Sequence, residues 1–258
     1  MASAPPQVVF IVPYRDRDQQ YQFFEKHMRT TVLASVPYTY KILYVNQCDT
    51  RSFNRGALKN IGFLHVKKTY PSHYRTITLV FHDIDSMPFT GNFLTYPTTI
   101  GTIKHFYGFT FALGGIVSIC GADFERLGGY PNFWAWGFED NMLQTRATHA
   151  RINIDRSQFY PIYDKNILYF MDGITRVVNR TEFDRFTSKQ STEGYAGIRE
   201  LAYDVDEKTG FLNVRYFLTE YMENVKTSKI HDLRDGSHPF QAGRQKAGNR
   251  WAMDFSKR

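Results

Sequence analysis

Three short apolar runs, each followed by a polar loop, constrain the fold of this chain more than any other feature. Val8-Val9-Phe10-Ile11-Val12 is continuous and rich in β-branched residues; Tyr40 to Val45 and Ile77 to Phe81 are the second and third runs. A continuous apolar run of this length reads as a strand buried on both faces, the habit of parallel sheets. Between the runs, Tyr21, Phe24, Met28 and Val32 recur every three or four residues. Ala57, Leu58, Ile61 and Leu64 share one face of a helix predicted from Asn54 to His65. This alternation predicts βαβ units, hence an α/β protein with a Rossmann-like, mainly parallel twisted sheet flanked by helices. Ligands of such sheets bind beyond the carboxyl ends of the strands. Chemistry is therefore expected in the loops after the three runs.

The third run enters His82-Asp83-Ile84-Asp85-Ser86-Met87-Pro88. If the strand continues, Asp83 and Asp85 face the same side. Paired carboxylates are hard oxygen ligands, suited to Mg²⁺ or Mn²⁺ carrying a diphosphate. Gly114-Gly115 admits a positive φ or a close ligand approach, and equally a plain turn between strands. Gly128-Gly129-Tyr130-Pro131-Asn132 reads as a helix stop and a turn. It leads into Phe133-Trp134-Ala135-Trp136-Gly137-Phe138-Glu139-Asp140-Asn141. The apolar half of that stretch can stack on a flat ligand such as a sugar ring, and Glu139 and Asp140 can accept from hydroxyls or act as a base. The same residues also suit an ordinary helix start, with acidic groups placed by the helix dipole and Trp134 and Trp136 in the core. Further on, strands are expected at Ile167 to Met171 and Leu212 to Tyr221, and a loop followed by a helix from Arg176 to Gln190.

A length of 258 residues suits one α/β domain or two small ones. The aromatic content of 16% fits base or sugar stacking as well as core filling. A formal charge of +7 favours anionic partners such as a nucleotide diphosphate, but the charge is not blocky enough to indicate nucleic acid. Cys48 and Cys120 match no zinc spacing; buried free thiols are expected, with a single disulfide as the alternative. Neither a signal core nor a membrane span is apparent, which predicts a cytoplasmic protein.

The order of the motifs resembles the inverting β-1,4-galactosyltransferase family. The resemblance rests on Pro13-Tyr14-Arg15-Asp16-Arg17; on Phe53-Asn54-Arg55 with Asn60-Ile61-Gly62-Phe63; and on Asp83-Ile84-Asp85 with Pro88. It continues through Gly114-Gly115-Ile116-Val117-Ser118, Gly128 to Asp140, and Phe183-Asp184-Arg185. It spans approximately residues 8 to 190. What the resemblance implies is a GT-A fold, assigned to residues 1–225; residues 226–258 have no match in the family and are expected to be a basic C-terminal extension that docks on an anionic surface or partner or is merely solvated. It further implies a UDP-sugar donor, Mn²⁺ or Mg²⁺, and a glycan, glycoconjugate or protein acceptor. Carried over by position, Asp85 and Met171 would bind the metal, with Asp83 beside it near the ribose and diphosphate. Pro13, Tyr14, Arg15, Arg17, Phe53, Asn54 and Arg55 would line the nucleotide site, with the arginines on the phosphates. Gly114, Gly115, Trp136 and Gly137 would line the donor site, with Trp136 in a mobile loop. Glu139 would hold the acceptor, and Asp140 would be the catalytic base.

Three positions depart from the family pattern. Phe138 stands where the family has glycine, narrowing the space above the acceptor. Three residues after Met171 stands Ile174 in place of a histidine, so Asp172 or a late histidine such as His231 is the substitute ligand. Ala112 stands where a large aromatic restricts the donor to galactose, which opens room for an N-acetyl group. Rival readings are a nucleotide-sugar or carbohydrate-binding module without turnover, a metal-dependent nucleotidyltransferase, and a nucleic-acid binder using the basic tail.

Overall fold

The computed structural model describes residues 4–171, 173–188, 193–236 and 238–240. The first apolar run forms β1 (Val8–Tyr14), and the polar loop after it turns into α1 (Asp18–His27), extended by a wider π-helical turn Met28–Val32. Next come β2 (Tyr40–Gln47), α2 (Arg55–Thr69) and β3 (Thr78–His82). The chain continues through β4 (Ser86–Pro88), β5 (Thr102–Gly108), β6 (Ile116–Cys120), α3 (Gly121–Arg126) and α4 (Glu139–His149). It then forms β7 (Asn153–Asp155), β8 (Tyr160–Pro161), β9 (Ile167–Tyr169), β10 (Thr175–Asn179) and α5 (Arg180–Thr187). Last come β11 (Arg199–Asp206), β12 (Phe211–Leu218) and β13 (Ser228–Asp232).

The main sheet has the order β11-β12-β2-β1-β3-β6-β5-β7, with β8 also on β5. β1 pairs in parallel with both β2 and β3, so the crossovers diverge at β1 and open a crevice at its carboxyl end. β6 runs antiparallel between β3 and β5, and β11 antiparallel to β12. Alternate residues of β1 feed two cores. Val9 and Ile11 meet Leu58 and Ile61 of α2 on one side, while Val8, Phe10 and Val12 meet Phe24 and Met28 on the other. Burial on both faces is why the runs read as continuous apolar sequence.

Two small ladders reach beyond the expected elements. β10 pairs antiparallel with β13, so the segment beyond residue 225 holds a strand, reached through the 3-10 turn Val225–Thr227; from residue 241 the tail lies outside the described residues. β4 pairs antiparallel with β9, which brings the chain around residue 170 alongside Asp85. Arg176 to Asn179 is strand rather than loop, since its backbone groups find partners in β13. Both cysteines are free; Cys120 is buried, but Cys48, expected to be buried, is exposed because it follows β2 at the sheet's carboxyl edge. Among the described residues no helix is long and apolar enough to cross a membrane.

Candidate active site

The loops after β1, β2 and β3 and the start of α4 converge on the carboxyl edge of the sheet. Pro13 and Tyr14 close β1, in register with Val45 and Asn46 of β2. The Tyr14 hydroxyl bonds to Asp18, and burial together with that carboxylate pushes it up to about 12, so it remains a neutral donor. Arg15 spans to the loop after β2, donating to the carbonyls of Gln47, Asp49 and Arg51 at 3.4, 3.2 and 2.6 Å. Its guanidinium lies 5.5 Å from the centre of the Phe53 ring. Arg15 thus organises the loop after β2. Arg17 donates to the Asp16 carbonyl and lines a depression of about 470 Å³ with Asp16, Gln20, Met171 and Gly173.

Asn54 caps α2: its side-chain oxygen accepts from the Ala57 amide at 2.9 Å, while its amide group donates to the Asn132 carbonyl at 3.0 Å. Asn60 donates to the Tyr130 carbonyl and to Asn132 at 2.8 and 2.9 Å. At Gly56 an added Cβ would lie 2.0 Å from the Pro131 carbonyl oxygen, so only glycine lets the helix approach this segment. These contacts dock the first turns of α2 against the approach to α4.

The result is a charged cluster. Arg55 donates to both carboxylate oxygens of Asp83, at 2.9 and 3.0 Å, and lies 3.5 Å from Glu139 and 3.6 Å from Asp140. Burial alone would lower the Arg55 guanidinium, but Asp83, Glu139 and Asp140 together drive it well above its ordinary value. Glu139 is buried; desolvation and then the Asp140 charge push its carboxyl up, and its Oε1 makes no hydrogen bond within the described protein. Lys59, on the buried side of α2, donates to Asp140 at 2.8 Å. Gly114 faces the other side of that carboxylate: a Cβ there would lie 2.3 Å from Asp140 Oδ2. Gly115, with φ +70°, turns the chain into β6.

The paired aspartates do not share a strand face. β3 ends at His82, and Asp83 to Asp85 form a turn into β4, so Asp83 goes to Arg55 while the Asp85 carbonyl accepts from the Phe170 amide at 2.7 Å. Met171, 70% exposed, follows one residue after that bond, beyond the end of β9. Among the described residues no three His, Cys, Asp or Glu side chains converge into a metal cage. His231 does not join Asp85: its Nε2 bonds the Gly236 carbonyl at 2.6 Å within β13 and its turn. Asp172 lies outside the described residues. One carboxylate with a neighbouring thioether, open to solvent, fits a divalent cation that arrives with phosphate oxygens and water rather than one held in an all-protein cage.

The two tryptophans part company. Trp134 is core: it is buried, stacks on Phe217 at 5.6 Å and donates to the Tyr221 carbonyl. Trp136 is half-buried, and its amide donates to the Val177 carbonyl at 2.9 Å. Gly137 has φ +111° with open space around it. Phe138 holds a left-handed conformation, φ 75°, that bulky residues rarely adopt. Its ring does not stand over the acceptor side but stacks on Phe186 of α5 at 4.9 Å.

Sequence reasoning missed Lys59 and a second support. His105 is buried and bonded through Nε2 to the Tyr107 and Gly114 carbonyls at 3.1 and 3.2 Å, while Arg156 donates to its Nδ1 at 3.1 Å. Those partners require the proton on Nε2. Burial, then Arg156, lower the ring to about 4, so it is neutral and holds the glycine pair in place. The available signal for Lys59 was two successive polar residues, Lys59-Asn60, inside an otherwise apolar helix face.

The sheet order, the carboxyl-edge crevice and the aspartate turn are those of a GT-A fold. Models for the N-terminal region of glycosyl transferase group 7 and for the N-terminal domain of galactosyltransferase match residues 2–96 and 98–169, well over half of the chain. The chain belongs to glycosyl transferase group 7, the family of the β-1,4-galactosyltransferases. It is 27% identical over 238 residues to β-1,4-galactosyltransferase 7 of Drosophila melanogaster, covering 88% of this chain and 65% of that protein. Xylosylprotein 4-β-galactosyltransferase of Caenorhabditis elegans is 25% identical, with 77% and 71% covered. The mouse β-1,4-galactosyltransferase 1 is 26% identical, and the chain spans 51% of its length. The crystal structure of the catalytic domain of the Drosophila enzyme with xylobiose superposes with a TM-score of 0.65 at 20% identity, covering 85% of this chain and 96% of that one. A second structure of that enzyme, a mutant with manganese, UDP-Gal and xylobiose, gives 0.62.

Proposed function

We infer that this chain is a metal-dependent glycosyltransferase domain that moves a hexose or N-acetylhexosamine from a UDP-sugar to a sugar hydroxyl, with inversion. The observation that carries this reading is the convergence of Asp83, Arg55 and the Glu139-Asp140 pair on one edge of the sheet, with Asp85 two residues after Asp83 and its charge also felt by Arg55. Asp85 and Met171 would hold a Mn²⁺ or Mg²⁺ ion, which neutralises charge on a diphosphate when bound. Arg55 adds a fixed cation where the leaving diphosphate gains charge. Glu139 Oε1 accepts from an acceptor hydroxyl, and Asp140 takes the proton of the attacking one. Attack on the face opposite the leaving group needs only this one base. Xylobiose in the Drosophila complexes supports a glycan or glycoconjugate acceptor. Asp85→Ala is expected to weaken UDP binding in Mn²⁺ by ten-fold or more (about 1.4 kcal/mol), measured by calorimetric titration with and without the ion. Unchanged affinity in both conditions would remove Asp85 from the metal site. Release of pyrophosphate instead of UDP during turnover would turn the reading to a nucleotidyltransferase.

The donor reading rests on Ala112. This residue is buried beside the glycine pair, and neither neighbour replaces the absent ring: Leu113 is fully buried in the core, while Phe111 is 61% exposed and stacks on Phe109. Turnover of UDP-GalNAc or UDP-GlcNAc is therefore expected beside UDP-galactose, and Ala112→Tyr should cut kcat/KM for the N-acetyl donors roughly 10- to 200-fold, the usual range for apolar shape selection. A wild type confined to UDP-galactose, with selectivity unaltered in the variant, would exclude this role.

A further inference from the structure

Lys59 occupies a place where a lysine is hard to explain by packing. It is 1% exposed, in the part of α2 that packs Leu58, Ile61 and Phe63 into the core. A hydrophobic residue of similar length would avoid the desolvation of an ammonium group there. The lysine amine lies 4.4 Å from the centre of the Tyr130 ring and 2.8 Å from Asp140 Oδ1. Among the described residues, Asp140 is its only ionic partner. Arg55 cannot hold the same carboxylate alone, since it also serves Asp83 and Glu139 and stands 3.6 Å from Oδ2. The two oxygens of Asp140 are therefore unlike. Oδ1 is taken by Lys59, while Oδ2 lies in the space that the missing Gly114 side chain leaves open.

Resting on the reading of Asp140 as general base, the geometry points to Lys59 as the residue that positions this base. Its ammonium fixes Oδ1 and the carboxylate plane, so Oδ2 is the oxygen presented to the acceptor hydroxyl. In the transfer step the acceptor oxygen's electron pair forms the bond to the anomeric carbon and the hydroxyl proton passes to Oδ2. The bond to the diphosphate breaks, with its electrons leaving on UDP. Lys59 touches none of the reacting atoms and acts through Asp140. Its burial without a packing benefit is the pattern of a residue kept for function at the expense of stability.

The test uses the full chain with UDP-galactose, Mn²⁺ and xylobiose, comparing Lys59→Met with Asp140→Asn. Lys59→Met is expected to melt at the wild-type temperature or above it, to lose roughly 100-fold in kcat, the scale of a misplaced catalytic group, and to keep the UDP-galactose KM within about threefold. Propylammonium should restore turnover to Lys59→Ala, and 1-propanol, equal in bulk but uncharged, should not. Lys59→Gln serves the same kinetic comparison should the Met variant fail to fold. A folded Lys59→Met with wild-type kcat, beside an inactive Asp140→Asn, overturns the role of Lys59 alone. Equal rescue by propanol reduces it to space filling and overturns it too. An active Asp140→Asn would overturn the base assignment and this proposal with it.

Discussion

Asp140→Asn is expected to lower kcat roughly 10³-fold, within the range that a positioned general base contributes, while the donor KM and UDP affinity stay within a few-fold. The amide keeps the size of the carboxylate and an oxygen that can still accept from Lys59, so the local structure has little reason to move. What it lacks is a lone pair able to take a proton at Oδ2. Of the groups read as holding the donor, Arg55 loses the Asp140 charge at 3.6 Å but keeps its bonds to both oxygens of Asp83, at 2.9 and 3.0 Å. Gly114→Ala should reproduce much of the defect from the other side, because its new Cβ would lie 2.3 Å from Oδ2 and must displace the carboxylate or the loop. Initial rates at saturating acceptor, with UDP binding measured separately, check both variants. A raised donor KM with unchanged kcat in Asp140→Asn would place this residue in binding instead of proton transfer.

Arg185→Met is expected to destabilise the fold by roughly 3–5 kcal/mol at pH 8, the usual consequence of stranding buried carboxylates. Arg185 bonds both Glu182 and Glu193, each almost fully buried, and lies over the rings of Tyr221 and Phe133 at 4.0 and 5.1 Å. One guanidinium cannot neutralise two carboxylates. Burial, with each carboxylate short of a full counter-charge, pushes both upward, Glu182 to about 7. The folded state of the wild type therefore binds more protons than the unfolded chain between the ordinary glutamate value and about 7. Stability from this site is fully present below the ordinary glutamate value and declines as pH rises through about 7. In the variant the decline is steeper, since no cation opposes ionisation. At pH 5, with the carboxyls protonated, the loss should be distinctly smaller than at pH 8. Urea denaturation at the two pH values measures this, and a pH-independent loss below ~1 kcal/mol would dismiss the account of Arg185 as the counter-charge of two buried carboxylates. The consequence reaches the site because α5 carries Glu182, which accepts from the Trp134 backbone, and Phe186, against which Phe138 stacks.

The β1–α1–β2–α2–β3 half of the fold was legible because burial on both faces writes itself into the chain as continuous apolar runs. The antiparallel β6 and the ladders β4–β9 and β10–β13 were not read as such. Strand direction and partners depend on contacts distant in sequence, and short strands carry no period long enough to read. The motif order pointed to Asp85, Arg55, Glu139 and Asp140 as neighbours, since each follows a strand or opens a helix at the same sheet edge. It could not separate Trp134 from Trp136: both sit in one aromatic stretch, and only the packing of β12 decides that Trp134 is core while Trp136 is half-buried.

By itself the sequence determined the α/β class, the loops where chemistry is sought and the family. These depend on local periodicity, strand-end loops and ordered short motifs, all readable along one chain. Tertiary structure alone decided that Asp83 faces Arg55 instead of sharing a face with Asp85, that the Phe138 ring turns to α5, and that a lysine 81 residues before Asp140 holds its carboxylate. Side-chain direction at a turn, and the meeting of charges brought together by the docking of α2 on α4, are set by packing between elements, which no local pattern encodes.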